Sequence, residues 1–114
     1  MDIKTYDLII DTKTKHTALQ VKDSFAYAVD NFTEPKAIYD LMTDGFRMDE
    51  KADEYVYMGA FNNRMKLLGM FEVSHGLCDA SLLDARGVYM RALQIGASNI
   101  VVIHNHRGKG MLTS

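Results

Sequence analysis

The stretch from Gly96 to His106 constrains this chain most, because it holds a helix end, a strand and two histidines. Gly96 is typical of a helix stop, and the apolar run from Ile100 to Ile103 predicts a buried strand. His104 and His106 follow this strand directly. Side chains alternate between the two faces of a strand, so histidines spaced i, i+2 share a face and can offer one metal ion two imidazoles. The pattern predicts either a metal site or two surface histidines at a strand end.

Composition excludes several classes of protein. A chain of 114 residues with 47% hydrophobic and 25% charged residues is typical of one soluble globular domain. Its formal charge of −2 provides no basic surface for nucleic acid. No apolar run approaches the ~18 residues of a membrane span, and the chain shows no signal peptide. We expect a cytoplasmic protein without membrane association, in which the single cysteine, Cys78, is a small buried or edge residue.

The first half of the chain predicts a hairpin followed by a helix. Apolar runs at 6–10 and 18–21 flank a polar turn, and His16 beside that turn is expected to be solvated. The stretch 25–32 is compatible with either a loop or a short strand. A helix should begin at the cap Thr33 with Pro35 in its first turn, and should end near Gly45. Its apolar stripe comprises Ala37, Ile38, Leu41 and Met42.

The second half predicts a strand pair, a helix and the strand already described. The charge-rich stretch 47–53 is expected to be a solvated linker. Residues 54–61 alternate as a strand covered on both faces, and a turn at 62–64 leads to a returning strand at 65–73. Ser81 can cap the next helix, whose apolar stripe is expected to comprise Leu82, Ala85, Tyr89, Ala92 and Leu93. The fold class is therefore α/β (α+β), with the strands in one sheet and the 81–95 helix on its face.

From about residue 33 to 106 the chain resembles the RadC-type branch of the JAB/MPN (JAMM) metalloprotease superfamily. The resemblance lies in 53–63, in the turn 74–76, in 84–93, and in 97–106 with its His-Asn-His end. It implies a JAB/MPN-like (cytidine-deaminase-like) mixed sheet with flanking helices. It also implies that residues 1–32 form an N-terminal strand pair or extension. Residues 33–114 would then form the RadC-like domain, incomplete at its C-terminus.

The family's zinc signature is a glutamate on an early strand, then His-x-His, seven residues, and Ser-x-x-Asp. Glu54, His104, His106 and Ser114 fall on the first four of these positions, whereas the aspartate would follow three residues after Ser114. The Pro-Ser-Gly-Asp usual after the second histidine is also replaced, by 107–110. The resemblance thus implies a zinc site with His104 and His106 as ligands, in a chain cut short within its active site.

The chemistry implied by the resemblance is zinc-dependent hydrolysis of a peptide or isopeptide bond. Glu54 would act as general base, and Ser114 would donate a hydrogen bond to the oxyanion. Because the aspartate is missing, we expect little bound zinc and no measurable peptidase activity in this chain. Glu72 and His75 are rival site residues for which structural or solvent roles are favoured, and Asn105 should point away from the histidines and bind backbone.

Two other functions stay open. The first is a non-catalytic protein-binding module that reuses the fold, because a fold does not determine a function. The second is a DNA-repair-associated role, implied only by the name of the family and not supported by the charge. We also expect a homo-oligomer, since loss of C-terminal elements would expose one side of the strand at 99–103 and part of the core.

Overall fold

The computed structural model describes residues 2–29, 31–51, 54–76, 85–106 and 110–113, and only the backbone of 74–76, 85, 106 and 110–113. The strands are β1 (Asp2–Ile10), β2 (Thr17–Ala26), β3 (Glu54–Phe61), β4 (Leu67–Gly76), β5 (Asn99–His106) and β6 (Gly110–Thr113). The helices are α1 (Pro35–Asp40), which continues as a π-helical turn (Leu41–Gly45), a 3₁₀ turn (Met48–Glu50) and α2 (Ala85–Ile95).

The described strands form one mixed sheet in the order β2-β1-β4-β3-β5-β6. Among the described strands, only β1 and β4 pair in parallel, at Thr5 and Met70, and the other pairs are antiparallel. The three strands predicted at 54–61, 65–73 and 99–103 are therefore neighbours in a single sheet, as expected. The hairpin predicted near the N-terminus is also confirmed, and it adds to this sheet through β1.

Short-range signals explain the turns. The side-chain oxygen of Asn62 accepts hydrogen bonds from the amides of Arg64 (2.9 Å) and Lys66 (3.0 Å), so this residue builds the turn that joins β3 to β4. Gly96 ends α2 with φ of +75°, a backbone conformation that favours glycine. The amide of Ala97 then donates to the carbonyl of Ala92 at 2.9 Å. Both turn assignments made from the sequence are confirmed.

One face of the sheet is covered by α1 and the turns that follow it. The buried side chains of α1 and of the turn that continues it include Ile38, Leu41 and Met42, which confirms the predicted stripe of this helix. The helix start was placed too early, because Glu34 rather than Thr33 occupies the N-cap position. The interpretation of 47–53 as a solvated linker also fails at Met48, which is fully buried in the same core.

The other face of the sheet is covered by α2. Val88 is buried there against Met58, Ala60 and Phe71, while Ala92 and Ile95 pack beside it. The predicted stripe of this helix was wrong at Tyr89 and Leu93, which are 63% and 82% exposed. The buried stripe of α2 has an i, i+4, i+7 spacing and comprises Val88, Ala92 and Ile95. Positions 89 and 93 each directly follow a residue of this stripe and therefore point about 100° of helical rotation away from it. The predicted cap Ser81 lies outside the described residues.

The outer edge of β5 is partly covered by β6, which pairs with it from Ile103↔Thr113 to His106↔Gly110. The edges of the described sheet are therefore β2 and β6. The homo-oligomer stays a prediction. No helix in the described part of the chain is both long enough and apolar enough to cross a membrane.

Candidate active site at the ends of β3 and β5

Three of the predicted site residues, Glu54, His104 and His106, lie on two neighbouring strands. β3 and β5 pair antiparallel, and the register sets Val56 opposite His104. Glu54 stands two residues before Val56, and His106 stands two residues after His104, so both strands bring their predicted site positions to the same end of the sheet. Directly opposite residues and residues two apart share a face of a sheet. Positions 54, 104 and 106 therefore belong to one face of the sheet. Residue 54 is far from the other two in the sequence, so no local spacing reveals this.

This face is the one covered by α2. Val102, two residues before His104, packs in the core that contains Val88 of α2. His104 itself is half-buried, and its Nδ1 atom is shielded from solvent. A metal ion that arrives from solvent would thus bind the other ring nitrogen, Nε2. The side chain of His106 lies outside the described residues, so its position is known only from the backbone.

Asn105 projects to the opposite face and connects three segments of the chain. It is 2% exposed. Its Oδ1 accepts a hydrogen bond from the amide of Tyr55 at 2.7 Å, and its Nδ2 donates to the carbonyl of Met48 at 3.1 Å. The prediction that Asn105 turns away from the histidines and binds backbone is confirmed. These bonds hold the end of β5 against the start of β3, and so fix the spacing between the histidine positions and Glu54.

Asn105→Ala should lower the free energy of unfolding by about 2–4 kcal/mol, because it leaves the part-buried N–H of Tyr55 and the buried C=O of Met48 without this partner. Asn63→Ala is the matched control, since Asn63 is exposed in the turn after β3, and it should change stability by less than about 0.5 kcal/mol. Urea denaturation of the two variants and the parent chain measures both effects. Equal stabilities of the two variants would contradict the stabilising role assigned to the hydrogen bonds of Asn105.

The remaining predicted residues are distributed as follows. Glu54 is partly buried at the first position of β3. Glu72 lies on the face opposite His104, level with Tyr57, and forms an ion pair with Lys22 at 3.4 Å. This placement agrees with the structural role favoured for Glu72 and removes it from the site. Ser114, Cys78 and the side chain of His75 lie outside the described residues, so their predicted roles stay predictions.

The donor atoms at this end of the sheet fit zinc in type. Imidazole nitrogen and carboxylate oxygen are both common zinc ligands. Within the described residues, no group of three or more His, Cys, Asp or Glu side chains is arranged to hold a metal ion. Of the two histidines, the structure describes the side chain of His104. Glu54 contributes a carboxylate on the same face. A site with two imidazoles would also require the side chain of His106, which lies outside the described residues.

Sequence reasoning missed the role of the charged stretch before β3. Met48 is fully buried, and its carbonyl receives the bond from Asn105. The signal that could have revealed it is the single large apolar residue among five charged ones in 47–53. Methionine is among the residues most often buried, so its presence there favours a contact with the core.

Comparison with known proteins agrees with the fold. The family model described as "RadC-like JAB domain" matches residues 32–114. A "UPF0758 protein" of Pelobacter propionicus is 23% identical over 78 residues, which cover 68% of this chain and 33% of that protein. A "UPF0758 protein" of Geotalea uraniireducens is 25% identical over 79 residues, or 69% of this chain and 34% of that protein. The chain thus spans about a third of the length of these relatives. Since the family model covers most of the chain, including β3, α2 and β5, this protein belongs to the RadC-like JAB domain family.

Proposed function

We propose that this domain carries the zinc site of a JAMM-type hydrolase that acts on peptide or isopeptide bonds. In this proposal His104 and His106 bind the metal ion, Glu54 acts as general base, and Ser114 donates a hydrogen bond to the oxyanion. The observation that supports it is the register of β3 and β5, in which Val56 lies opposite His104. In that register, position 54 lies at the same end of the sheet as positions 104 and 106, which supports their assignment to one site.

Each residue has a defined task in such a reaction. Zinc, when bound, would supply a Lewis acid and lower the pKa of an attacking water to ~7. The Glu54 carboxylate would accept the proton of that water and then return it to the leaving amine. A hydroxyl at Ser114 would stabilise the developing negative charge on the carbonyl oxygen. Asn105 touches none of the reacting atoms, and its bonds keep the two strand ends in register.

The number of ligands limits zinc affinity in this 114-residue chain. Catalytic zinc usually has three protein ligands and a water, whereas the proposed set offers two imidazoles. Glu54 could bind the metal ion as a third ligand, but a carboxylate that binds zinc in this way cannot also serve as the base. We therefore propose weak zinc binding and no measurable peptidase activity for these 114 residues.

Zinc titration by calorimetry tests the site. The metal-free chain should bind about one zinc weakly, and His104→Ala should weaken that binding at least about tenfold. His16→Ala is the matched control, because His16 is exposed in the turn between β1 and β2, and it should leave zinc affinity unchanged. If His104→Ala and His16→Ala bind zinc equally well, the proposed ligand is wrong.

A third variant separates the two roles open to Glu54. Glu54→Gln removes the charge but keeps the size of the side chain. If Glu54 is the base, this variant binds zinc as the parent chain does. A loss of affinity as large as that of His104→Ala would make Glu54 a metal ligand and contradict its assignment as base.

A further inference from the structure

A polar cleft lies on the face of the sheet opposite His104. It has a volume of about 330 Å³ and is bordered by β1, β2, β3 and β4 and by the turns around Gly45 and Lys51. Thr5 and Tyr57 line it from the sheet. The volume is at the lower end of that of small-molecule sites, about 300–1,000 Å³. The cleft is separate from the strand ends that carry Glu54 and the histidines, and the proposed hydrolysis does not use it.

Two irregularities of the sheet shape this cleft. In β2, Asp23 lies opposite Thr5 and Val21 opposite Tyr6, so Lys22 is an extra residue without a cross-strand partner in this pair. In β4, Val73 directly follows Glu72 and is likewise an extra residue, without a cross-strand partner in the pair with β3. A β-bulge redirects the side chains near it, and bulges are frequent beside binding sites. Here Lys22 reaches across β1 to Glu72, with 3.4 Å between Nζ and Oε2.

Among the described residues that line the cleft, the charges are balanced and of both signs. Lys22 and Lys51 are positive, and Asp23 and Glu72 are negative. Within the described residues, Asp23 and Lys51 form no ion pair with another side chain. Lys51 instead lies over the ring of Tyr55, with Nζ 4.7 Å from the ring centroid. One carboxylate and one ammonium group are therefore available to a ligand that carries both charges.

Aromatic rings form the apolar part of the cleft. Phe46 lies between Phe25 and Tyr57, with ring centroids 5.4 Å and 5.1 Å away. Gly45 permits this arrangement, because a Cβ atom there would lie 2.8 Å from the ring of Phe25. Burial, together with the nearby Glu72, Tyr55 and Asp23, raises the pKa of Tyr57 to about 12, so its hydroxyl stays neutral.

We propose that this cleft binds a free amino acid with an apolar or aromatic side chain. Its carboxylate would pair with Lys51, and its ammonium group with Asp23. The side chain would lie against the rings of Phe25 and Phe46. A zwitterion matches these charges, whereas an anion or a cation alone would leave either Asp23 or Lys51 without a ligand partner.

Titration of the 114-residue chain with L-phenylalanine, followed by NMR of backbone amides, tests the proposal. We expect saturable shifts at residues that line the cleft, including Thr5, Phe46 and Tyr57. Phenethylamine lacks the carboxylate and 3-phenylpropionate lacks the ammonium group. Each analogue should bind at least about tenfold more weakly, because it loses one charge-assisted hydrogen bond. No shifts with L-phenylalanine, or equal binding of either analogue, would overturn the zwitterion assignment.

Variants test the position of the ligand. Lys51→Gln and Asp23→Asn should each weaken L-phenylalanine binding at least about tenfold. Lys36→Gln is the matched control, since Lys36 is an exposed lysine that pairs with Asp40 away from the cleft, and it should bind as the parent chain does. Circular dichroism checks that every variant is folded. If all three folded variants bind equally, the ligand does not occupy this cleft and the inference is wrong.

Discussion

Replacing Phe71 with alanine is expected to lower the free energy of unfolding by about 3–5 kcal/mol, a large part of the stability of a small domain. Phe71 is fully buried in β4. It packs in the core beneath α2 with Met58 and Val88, and its ring centroid lies 6.2 Å from that of Tyr6. Removal of the ring leaves a cavity between α2 and the sheet, in addition to the loss of buried apolar surface.

Denaturant unfolding, followed by far-UV circular dichroism, measures this effect. Leu93→Ala is the control, because Leu93 lies on α2 but is 82% exposed, and it should change the stability by less than about 0.5 kcal/mol. The pair also tests which side of α2 faces the sheet. If Leu93→Ala were the more destabilising variant, the helix would pack through the stripe predicted from the sequence and not through Val88.

The second large effect concerns the number of zinc ligands. An extended chain that continues beyond Ser114 with the further residues of a RadC-like relative, including an aspartate three residues after Ser114, should bind zinc at least about 100-fold more tightly than the 114 residues. The physical reason is the step from two protein ligands to the three usual for catalytic zinc. Calorimetric titration and metal analysis measure affinity and stoichiometry, which should approach one zinc per chain.

The matched control is the same extended chain with asparagine in place of that aspartate. It keeps the added length and nearly the same shape, but it removes the negative charge of the new ligand. Its zinc affinity should stay close to that of the 114-residue chain, and His104→Ala should abolish the gain in the aspartate version. Equal affinities of the aspartate and asparagine versions would show that the added residue is not a ligand.

Local patterns in the sequence predicted most of the elements. The alternation in 54–61 identified β3 because both faces of this strand are buried, with Met58 in one core and Tyr57 in the other. Gly96 and Asn62 identified their turns because each provides the backbone conformation or hydrogen bonds that the turn requires. Such signals act within a few residues, so the sequence alone reveals them.

The errors arose where distant residues decide the outcome. Tyr89, Leu93 and Val88 are all apolar, and the choice of the buried stripe on α2 depends on the sheet beneath it. Met48 is buried in the core against the sheet, and Asn105, far along the chain, donates a hydrogen bond to its carbonyl. The strand β6 has no long apolar run, and it forms by pairing with β5. None of these contacts leaves a periodic signal in the local sequence.

The site was predicted in part. The apolar run before His104 indicated a strand end, and the i, i+2 spacing placed both histidine positions on one face. No spacing relates Glu54 to His104, since these residues are fifty positions apart, and their association came from the resemblance to the RadC family. The structure sets Val56 opposite His104 and so places both strand ends together. The sequence predicted that Asn105 binds backbone, but it did not identify Tyr55 and Met48 as the partners.

Anomalous scattering at the zinc edge from crystals grown with excess zinc would locate the metal ion of the proposed site. We expect one zinc ion at the end of β3 and β5, about 2.0–2.1 Å from an imidazole nitrogen of both His104 and His106, with Glu54 on the same face. Excess zinc compensates for weak binding, so a low affinity does not affect the result. A zinc ion bound elsewhere while both histidines stay without metal, or two ions each bound to one of them, would contradict the proposed site.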